Sequence, residues 1–247
     1  MKKIGIIGHT GRVGRNLTNL LLNQKVYQLG TCYNKSSLPK TTLLNVFQDN
    51  DFVIDFSSQD LVKNILKMGI QCPKPLILCS TGWDYQKVVD DIFSLSQYVP
   101  IVIAPNTSLG ACIQRYLAYS LSRWFDADYD IDIIEKHHRH KKDVPSGTAK
   151  ALIESVLKVK KDFSLYNLKQ EKRLDKQISV SVIRSGNILG EHELLFTSRD
   201  EMISIKHTVF DRNLFAKGAL KIIAWLEENQ PNEGVYNMED IFAFMKL

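Results

Sequence analysis

No apolar run in this 247-residue sequence approaches the roughly 18 residues that a membrane-spanning helix needs. The opening stretch, Met1-Lys-Lys-Ile-Gly-Ile-Ile-Gly8, has two lysines but too short an apolar core for a secretory leader, so a cytoplasmic location is expected. Cysteine is scarce. Cys32, Cys72, Cys79 and Cys112 form no C-x-x-C pair and no small disulfide framework, which suits a reducing compartment. Repeats and low-complexity tracts are absent. The net charge is only +5, compatible with an anionic ligand and too small to argue for nucleic acid. What remains is ordinary globular composition, 44% hydrophobic and 24% charged, long enough for one large or two modest domains.

Lys3 to Ile7 reads as a short buried strand, running into Gly8-His9-Thr10-Gly11-Arg12-Val13-Gly14. Val13, Leu17, Leu20 and Leu21 then recur at helical spacing. Three glycines between a strand and a helix are a variant of the dinucleotide fingerprint. Gly8 allows the tight turn, Gly11 the approach of a pyrophosphate, and Gly14 close helix–sheet packing. At the end of a second strand, Tyr27 to Tyr33, an enzyme specific for NAD would place an acid on the ribose 2′-hydroxyl. That acid is missing. Asn34-Lys35-Ser36-Ser37 stands there instead and favours a 2′-phosphate, although it also reads as an ordinary polar turn.

Strand and helix patterns then alternate: Phe52–Phe56, Asp60–Met68, Leu76–Cys79, Asp84–Leu95 and Ile101–Ala104. The fold class expected is α/β, a Rossmann-like doubly wound parallel sheet. Ligands of such sheets bind beyond the carboxyl ends of strands. The turns at Ser57-Ser58, at Cys79-Ser80-Thr81-Gly82, and at Ala104-Pro105-Asn106-Thr107-Ser108 are therefore candidate cofactor contacts, or simply caps for the next helix. After Asn106 the pattern changes to a long amphipathic segment, Leu109–Trp124, and then to strand-like runs at Ile131–Ile134, Ile178–Ile183, His192–Phe196 and Met202–His207. Strands without intervening helices indicate a second, α+β domain with a mixed or antiparallel sheet. Its expected span is 107–211, with 1–106 and 212–247 forming the dinucleotide-binding domain and Phe215–Leu226 a returning helix. A site in the cleft between domains is the expectation.

The most informative stretch is Glu135-Lys-His-His-Arg-His-Lys-Lys-Asp-Val-Pro-Ser-Gly-Thr-Ala149. An apolar strand enters it, and a helix over roughly Ala149–Val159 leaves it. Between them, His137, His138, Arg139, His140, Lys141 and Lys142 precede a Pro145-Ser146-Gly147-Thr148 turn. Serine or threonine before an apolar-periodic run is an N-cap signal, and a helix start with free N–H groups binds anions. Cations beside imidazoles can neutralise carboxylates and move protons, so the reading is an anionic-substrate site with acid–base capacity. Two blander readings stand beside it. A basic run is often a solvated face, and paired histidines can hold a metal. No carboxylate or cysteine falls at ligand spacing on a recognisable helix, so no metal is expected.

Together these motifs resemble the dihydrodipicolinate reductase family. Its signature E-x-H-H-x-x-K-x-D-x-P-S-G-T-A is matched at every fixed position from Glu135 to Ala149. Agreement extends in order through Gly8–Gly14 with Arg15, Asp55-Phe56, Ser80-Thr81-Gly82, Asn106 with Ser108 and Gly110, Arg184–His192 and Ile205–Arg212. The resemblance implies a homotetrameric cytoplasmic enzyme that reduces 4-hydroxy-tetrahydrodipicolinate with NADPH or NADH in diaminopimelate and lysine biosynthesis. By the same resemblance His137 and Lys141 are catalytic, and His138, Lys141, Gly147 and Thr148 contact the substrate carboxylates. Whether His137, Lys141 or water delivers the proton stays open, as does a purely orienting role for His137. The chain departs from the pattern at Cys79 (the family often has glycine), at Thr107 (often aromatic), and in the glycine-poor loop Phe163–Lys176.

Overall fold

The structure is a computed structural model, and it describes residues 1–35, 41–126, 128–164, 173 and 175–241. Ser36, Ser37 and most of the 163–176 loop, all singled out in the sequence, lie outside the described residues. The chain divides into two compact units, Met1–Ser108 with Arg212–Leu247, and Leu109–Asp211. No helix among the described residues is long and apolar enough to cross a membrane.

The first unit is built on β1 (Lys2–Ile7), β2 (Tyr27–Leu29), β3 (Phe52–Asp55), β4 (Leu76–Leu78) and β5 (Pro100–Ile103), joined at the edge by a strand near the C-terminus, β10 (Gly234–Asn237). All pairings are parallel, in the order β10-β5-β4-β3-β1-β2. The order reverses between β1 and β3, so their carboxyl ends open at a topological switch point. Helices α1 (Arg12–Leu22), α2 (Leu43–Asp49), α3 (Val62–Gln71), α4 (Val89–Ser96) and α7 (Asn213–Asn229) belong to this unit. Alternate strand residues Ile7, Val53, Leu76, Leu78 and Ile101 pack with Val46, Phe47, Ile65, Leu66, Ile92 and Leu95 of α2, α3 and α4. Their neighbours Ile4, Ile6, Ile54, Ile77 and Val102 face the other way and are equally buried. Each such side chain contributes roughly 1.5–3 kcal/mol of hydrophobic stabilisation.

Three differences from the sequence reading have physical causes. β2 ends at Leu29 because the Thr31 carbonyl accepts from the buried Asn50 side chain (3.1 Å), and the ladder resumes only as a bridge at Tyr33. α2 was not anticipated, although Thr42 and Asn45 form a capping box at its start. β10 was missed because a four-residue, half-exposed edge strand carries almost no periodic signal.

In the second unit, β6 (Asp130–His137), β7 (Ile178–Arg184), β8 (Glu191–Thr197) and β9 (Met202–Thr208) form a mixed sheet in the order β7-β6-β8-β9. β6 and β7 are parallel, while β6–β8 and β8–β9 are antiparallel. One face buries Ile131, Ile133, Ile178, Val180, Leu194 and Phe196 against Ala118 of α5 (Leu109–Trp124) and Leu152, Ile153 and Val156 of α6 (Gly147–Leu157). β6 runs three residues further than the apolar run suggests. Glu135 and His137 continue the inward-facing set begun by Ile131 and Ile133, so the polar residues of the signature start on a strand and not in a loop.

Candidate active site

In the first unit the glycine loop closes on itself. The Gly8 N–H donates to the Tyr33 carbonyl (2.7 Å), the Gly11 N–H to Gly8 (3.0 Å) and the Arg15 N–H to Gly11 (2.9 Å). Gly8 sits at φ +86, a left-handed conformation that other residues rarely adopt. A Cβ on Gly14 would lie 2.2 Å from the Gly8 carbonyl oxygen, so α1 can approach the loop this closely only with glycine there. α1 begins at Gly11 without a side-chain cap and without an acid in its first turn, which leaves its dipole and N–H groups to an anion. The His9 Nδ1 is buried and has no hydrogen-bond partner among the described residues. This cradle fits the pyrophosphate of a dinucleotide. Asn34, beyond the second strand, is tied to the loop through Thr10 (3.2 Å), and Lys35 makes an exposed contact with Asp60 (3.4 Å).

At the end of β3 stands a fully buried carboxylate to which the sequence assigned no role. Asp55 ends β3, and its oxygens accept from the Ser57 N–H (2.8 Å), the Ser57 hydroxyl (2.5 Å) and the Ser80 hydroxyl. Burial pushes its pKa up, and the hydrogen bonds from Ser57 and Ser80 pull part of that shift back. The turns after β3 and β4 are thereby tied to one residue. Cys79 is a buried thiol whose pKa is pushed well up by burial and by Asp55, and its N–H is used by the Asp55 carbonyl. Thr81 is exposed at the mouth of the second turn. After β5, Ala104 is held by the Leu78 carbonyl (2.8 Å) and Asn106 accepts from the Ser108 N–H (3.0 Å). Pro105 is exposed, whereas Thr107 is buried and donates its hydroxyl to the Phe215 carbonyl (2.7 Å).

The second unit holds the histidine–lysine set. Strand pairing places Glu135 opposite His192 and His137 opposite Arg184, all on the core face of the sheet. The Glu135 carboxylate accepts from the Arg184 guanidinium (2.5 Å) and from the Ser146 N–H (2.8 Å). Burial alone would raise its pKa, but those bonds outweigh burial and hold it below the usual range. Ser146 is the N-cap of α6, accepting from the Ala149 N–H (3.2 Å), and its hydroxyl meets the His192 Nε2 (2.8 Å). The His137 and His192 rings meet edge-on at 5.0 Å. Burial, reinforced by the nearby Lys141 charge, pushes the His137 pKa down to about 4. Burial and the His137 ring take His192 to about 3. Both imidazoles are therefore neutral at pH 7, and the His137 Nδ1 is buried without a partner among the described residues.

Lys141 is mostly buried and pairs with Asp143 at 2.8 Å. His138 is half-buried, and its ring lies 6.3 Å from that of the exposed His140. Gly147, the first residue of α6, is exposed, with Thr148 beside it half-buried, and a Cβ on Gly147 would meet nothing within 4 Å. A strand end, a cationic loop and an open helix start thus come together around neutral imidazoles, an arrangement able to grip carboxylates and hold a proton. Glu135, His137 and His192 also bring ligand atoms within 4.8 Å of one another, a grouping invisible in sequence because β8 supplies the third member. Both Glu135 oxygens are already engaged by Arg184 and Ser146, so hydrogen bonding uses these atoms.

The structure sorts the expected site residues into two sets. Gly8 to Val13, Asn34, Lys35, Cys79 to Thr81 and Ala104 to Thr107 belong to the first unit, and His137, His138, Lys141, Gly147 and Thr148 to the second. Sequence reasoning gave no individual role to Asp55, Glu135, Arg184 or His192, while the N-cap signal it read in the Ser146 turn falls on Ser146 itself. The available signal was a charged residue ending an apolar strand, as in Phe52-Val-Ile-Asp55 and Ile131-Asp-Ile-Ile-Glu135.

Comparison with known proteins gives a consistent picture. Residues 2–107 match the family model "Dihydrodipicolinate reductase, N-terminus" and residues 110–242 the model "Dihydrodipicolinate reductase, C-terminus". The 4-hydroxy-tetrahydrodipicolinate reductase of Chlamydia caviae is 41% identical over 240 residues, covering 96% of this chain and 97% of that protein. Its counterpart from Campylobacter jejuni subsp. doylei is 36% identical over 258 residues, covering 100% and 98%. Among solved structures, a dipicolinate-bound dihydrodipicolinate reductase from Paenisporosarcina sp. TG-14 superposes with a TM-score of 0.78 at 18% identity, covering 98% and 99%.

Proposed function

The chain belongs to the dihydrodipicolinate reductase family, and from that premise we propose how its own residues serve the reduction of 4-hydroxy-tetrahydrodipicolinate to tetrahydrodipicolinate, a step of diaminopimelate and lysine biosynthesis. Reducing equivalents come from NADPH or NADH: a bound nicotinamide supplies the hydride. Gly8 to Val13 with the start of α1 hold its pyrophosphate, while Asn34 and Lys35 face the ribose. The turns at 79–81 and 104–107 line the remainder of the cofactor. The cyclic dicarboxylate is held by Lys141 and His138 from the loop, and by the Gly147 and Thr148 N–H groups at the head of α6. One hydride and one proton enter the ring, and water leaves.

The observation that carries this reading is the pairing of Lys141 with a resident carboxylate, Asp143, next to a neutral, desolvated His137 and an unobstructed helix start. A substrate carboxylate takes the place that Asp143 occupies on the ammonium. Lys141 bears a charge that can stabilise the carbanion formed by hydride addition, and His137, whose charged form burial and Lys141 disfavour, readily passes on any proton it takes up. The same reading extends to a homotetramer in the cytoplasm. The sheet face turned away from α5 and α6 leaves Ile183 and Met202 exposed beside a Lys136–Glu191–Lys206 ion-pair ladder, a surface of mixed apolar and charged character that a second copy could cover.

The test is NADPH oxidation by purified protein with freshly generated cyclic substrate, beside Lys141→Ala. Turnover by the wild type and loss of most of it in the variant are expected. Normal turnover by Lys141→Ala removes the mechanism.

A further inference from the structure

The loop from His138 to Asp143 carries Lys141 but has almost no structure of its own; its described internal backbone bond is Lys141 N–H to His138 (3.1 Å). It is held instead by the end of β7 and the turn after it. The Ser185 N–H donates to the His137 carbonyl (2.9 Å), and the Arg139 N–H donates to Gly186 (3.2 Å). Arg184 adds two contacts. Its Nη2 donates to the Asp143 carbonyl (2.9 Å) and to Glu135 Oε1 (2.5 Å), while Glu135 Oε2 receives the N–H of Ser146, the N-cap of α6. One guanidinium therefore reaches the lysine loop directly and the helix start through a single buried carboxylate. Glu135 is fully buried and the Arg184 side chain only 17% exposed, so water competes little for the bonds to Glu135, whereas the bond to the Asp143 carbonyl is exposed.

We propose that Arg184 is a positioning residue that sets the spacing between the Lys141 loop and the head of α6, the two elements that grip the two carboxylates of the substrate. This rests on the reading of the second unit as the dicarboxylate site. Two carboxylates on one ring are a rigid pair, so both can be bound only when the two gripping elements stand at the matching separation. A lysine at 184 keeps the charge opposite Glu135, but its side chain is shorter and lacks the rigid guanidinium plane that fixes the directions of the two bonds made by Arg184 Nη2.

Expected for Arg184→Lys is a folded protein with unchanged NADPH affinity. Its Kd for pyridine-2,6-dicarboxylate and its KM for the cyclic substrate both rise about tenfold, the size of one lost charge-assisted hydrogen bond, and kcat falls less. A second variant separates positioning from folding. Glu135→Gln combined with Arg184→Met removes the buried charges together, so it should melt closer to the wild type than Arg184→Met alone. Its affinity for the dicarboxylate should stay low. Wild-type dicarboxylate binding in either folded variant overturns the inference, as does an affinity loss that merely tracks melting temperature across the set. If the wild-type protein itself neither binds pyridine-2,6-dicarboxylate nor turns over the substrate, the functional reading fails first, and that result is distinguishable from failure of the Arg184 role.

Discussion

Replacing Gly147 with alanine separates what α6 needs from what a bound carboxylate needs. Gly147 opens the helix, its φ lies outside the left-handed region, and a Cβ there would touch nothing within 4 Å. The fold gives no reason for glycine, so ordinary helix propensity applies and alanine should stabilise by about 0.5–1 kcal/mol. In a chain of this length that raises Tm by roughly 1–4 °C. The added methyl, however, stands over the first-turn N–H groups. A substrate carboxylate displaced from one of them loses a charge-assisted hydrogen bond of about 1.5–3 kcal/mol, which is roughly 10- to 150-fold in kcat/KM. Thermal melts, steady-state kinetics and titration with pyridine-2,6-dicarboxylate read the two effects separately. A variant that melts higher and keeps wild-type kcat/KM refutes the assignment of the helix start to substrate. One that melts lower refutes the packing argument.

Three further outcomes are expected. His137 and His192 have folded pKa values of about 4 and about 3, depressed from 6.5 by burial, so between pH 6.5 and about 4 the unfolded chain binds protons that the folded chain refuses. Stability should be complete above pH 6.5 and fall as pH drops through that window; Tm measured from pH 7.5 to 4.5 checks this, and His192→Gln should flatten the slope. Asp55→Asn should leave Tm level or higher, because burial raises the carboxyl pKa and the charged form is the costly one in the fold, yet weaken cofactor binding several-fold by taking an acceptor from Ser57 or Ser80, as fluorescence titration would read. For Lys35→Ala, whose only described partner is an exposed Asp60 contact worth little to stability, the Kd for NADPH should rise about tenfold while that for NADH stays put.

Much of the architecture was legible because its signals are local. Alternating apolar runs marked the parallel strands, three glycines marked the strand-to-helix loop, and Leu109–Trp124 showed its helix from end to end. The signature from Glu135 to Ala149 named the family, since a contiguous string of defined residue types is readable without any coordinates. Boundaries failed where distant residues intervene: Asn50 interrupts β2 at Thr31, and the extension of β6 to His137 depends on partners for Glu135 supplied by β7 and the start of α6.

From its residues alone the chain declared two kinds of binding loop and the chemistry each carries, because helix starts, glycine turns and clustered cations act over a few positions. Only the tertiary structure decided which charges are buried and what neutralises them. Arg184 lies 49 residues from Glu135 and Ser80 lies 25 from Asp55, and each pair is made neighbours by sheet register. A carboxylate in water needs no such partner, but one taken into the core must find it. That requirement, enforced by desolvation, links the Lys141 loop to the rest of its unit.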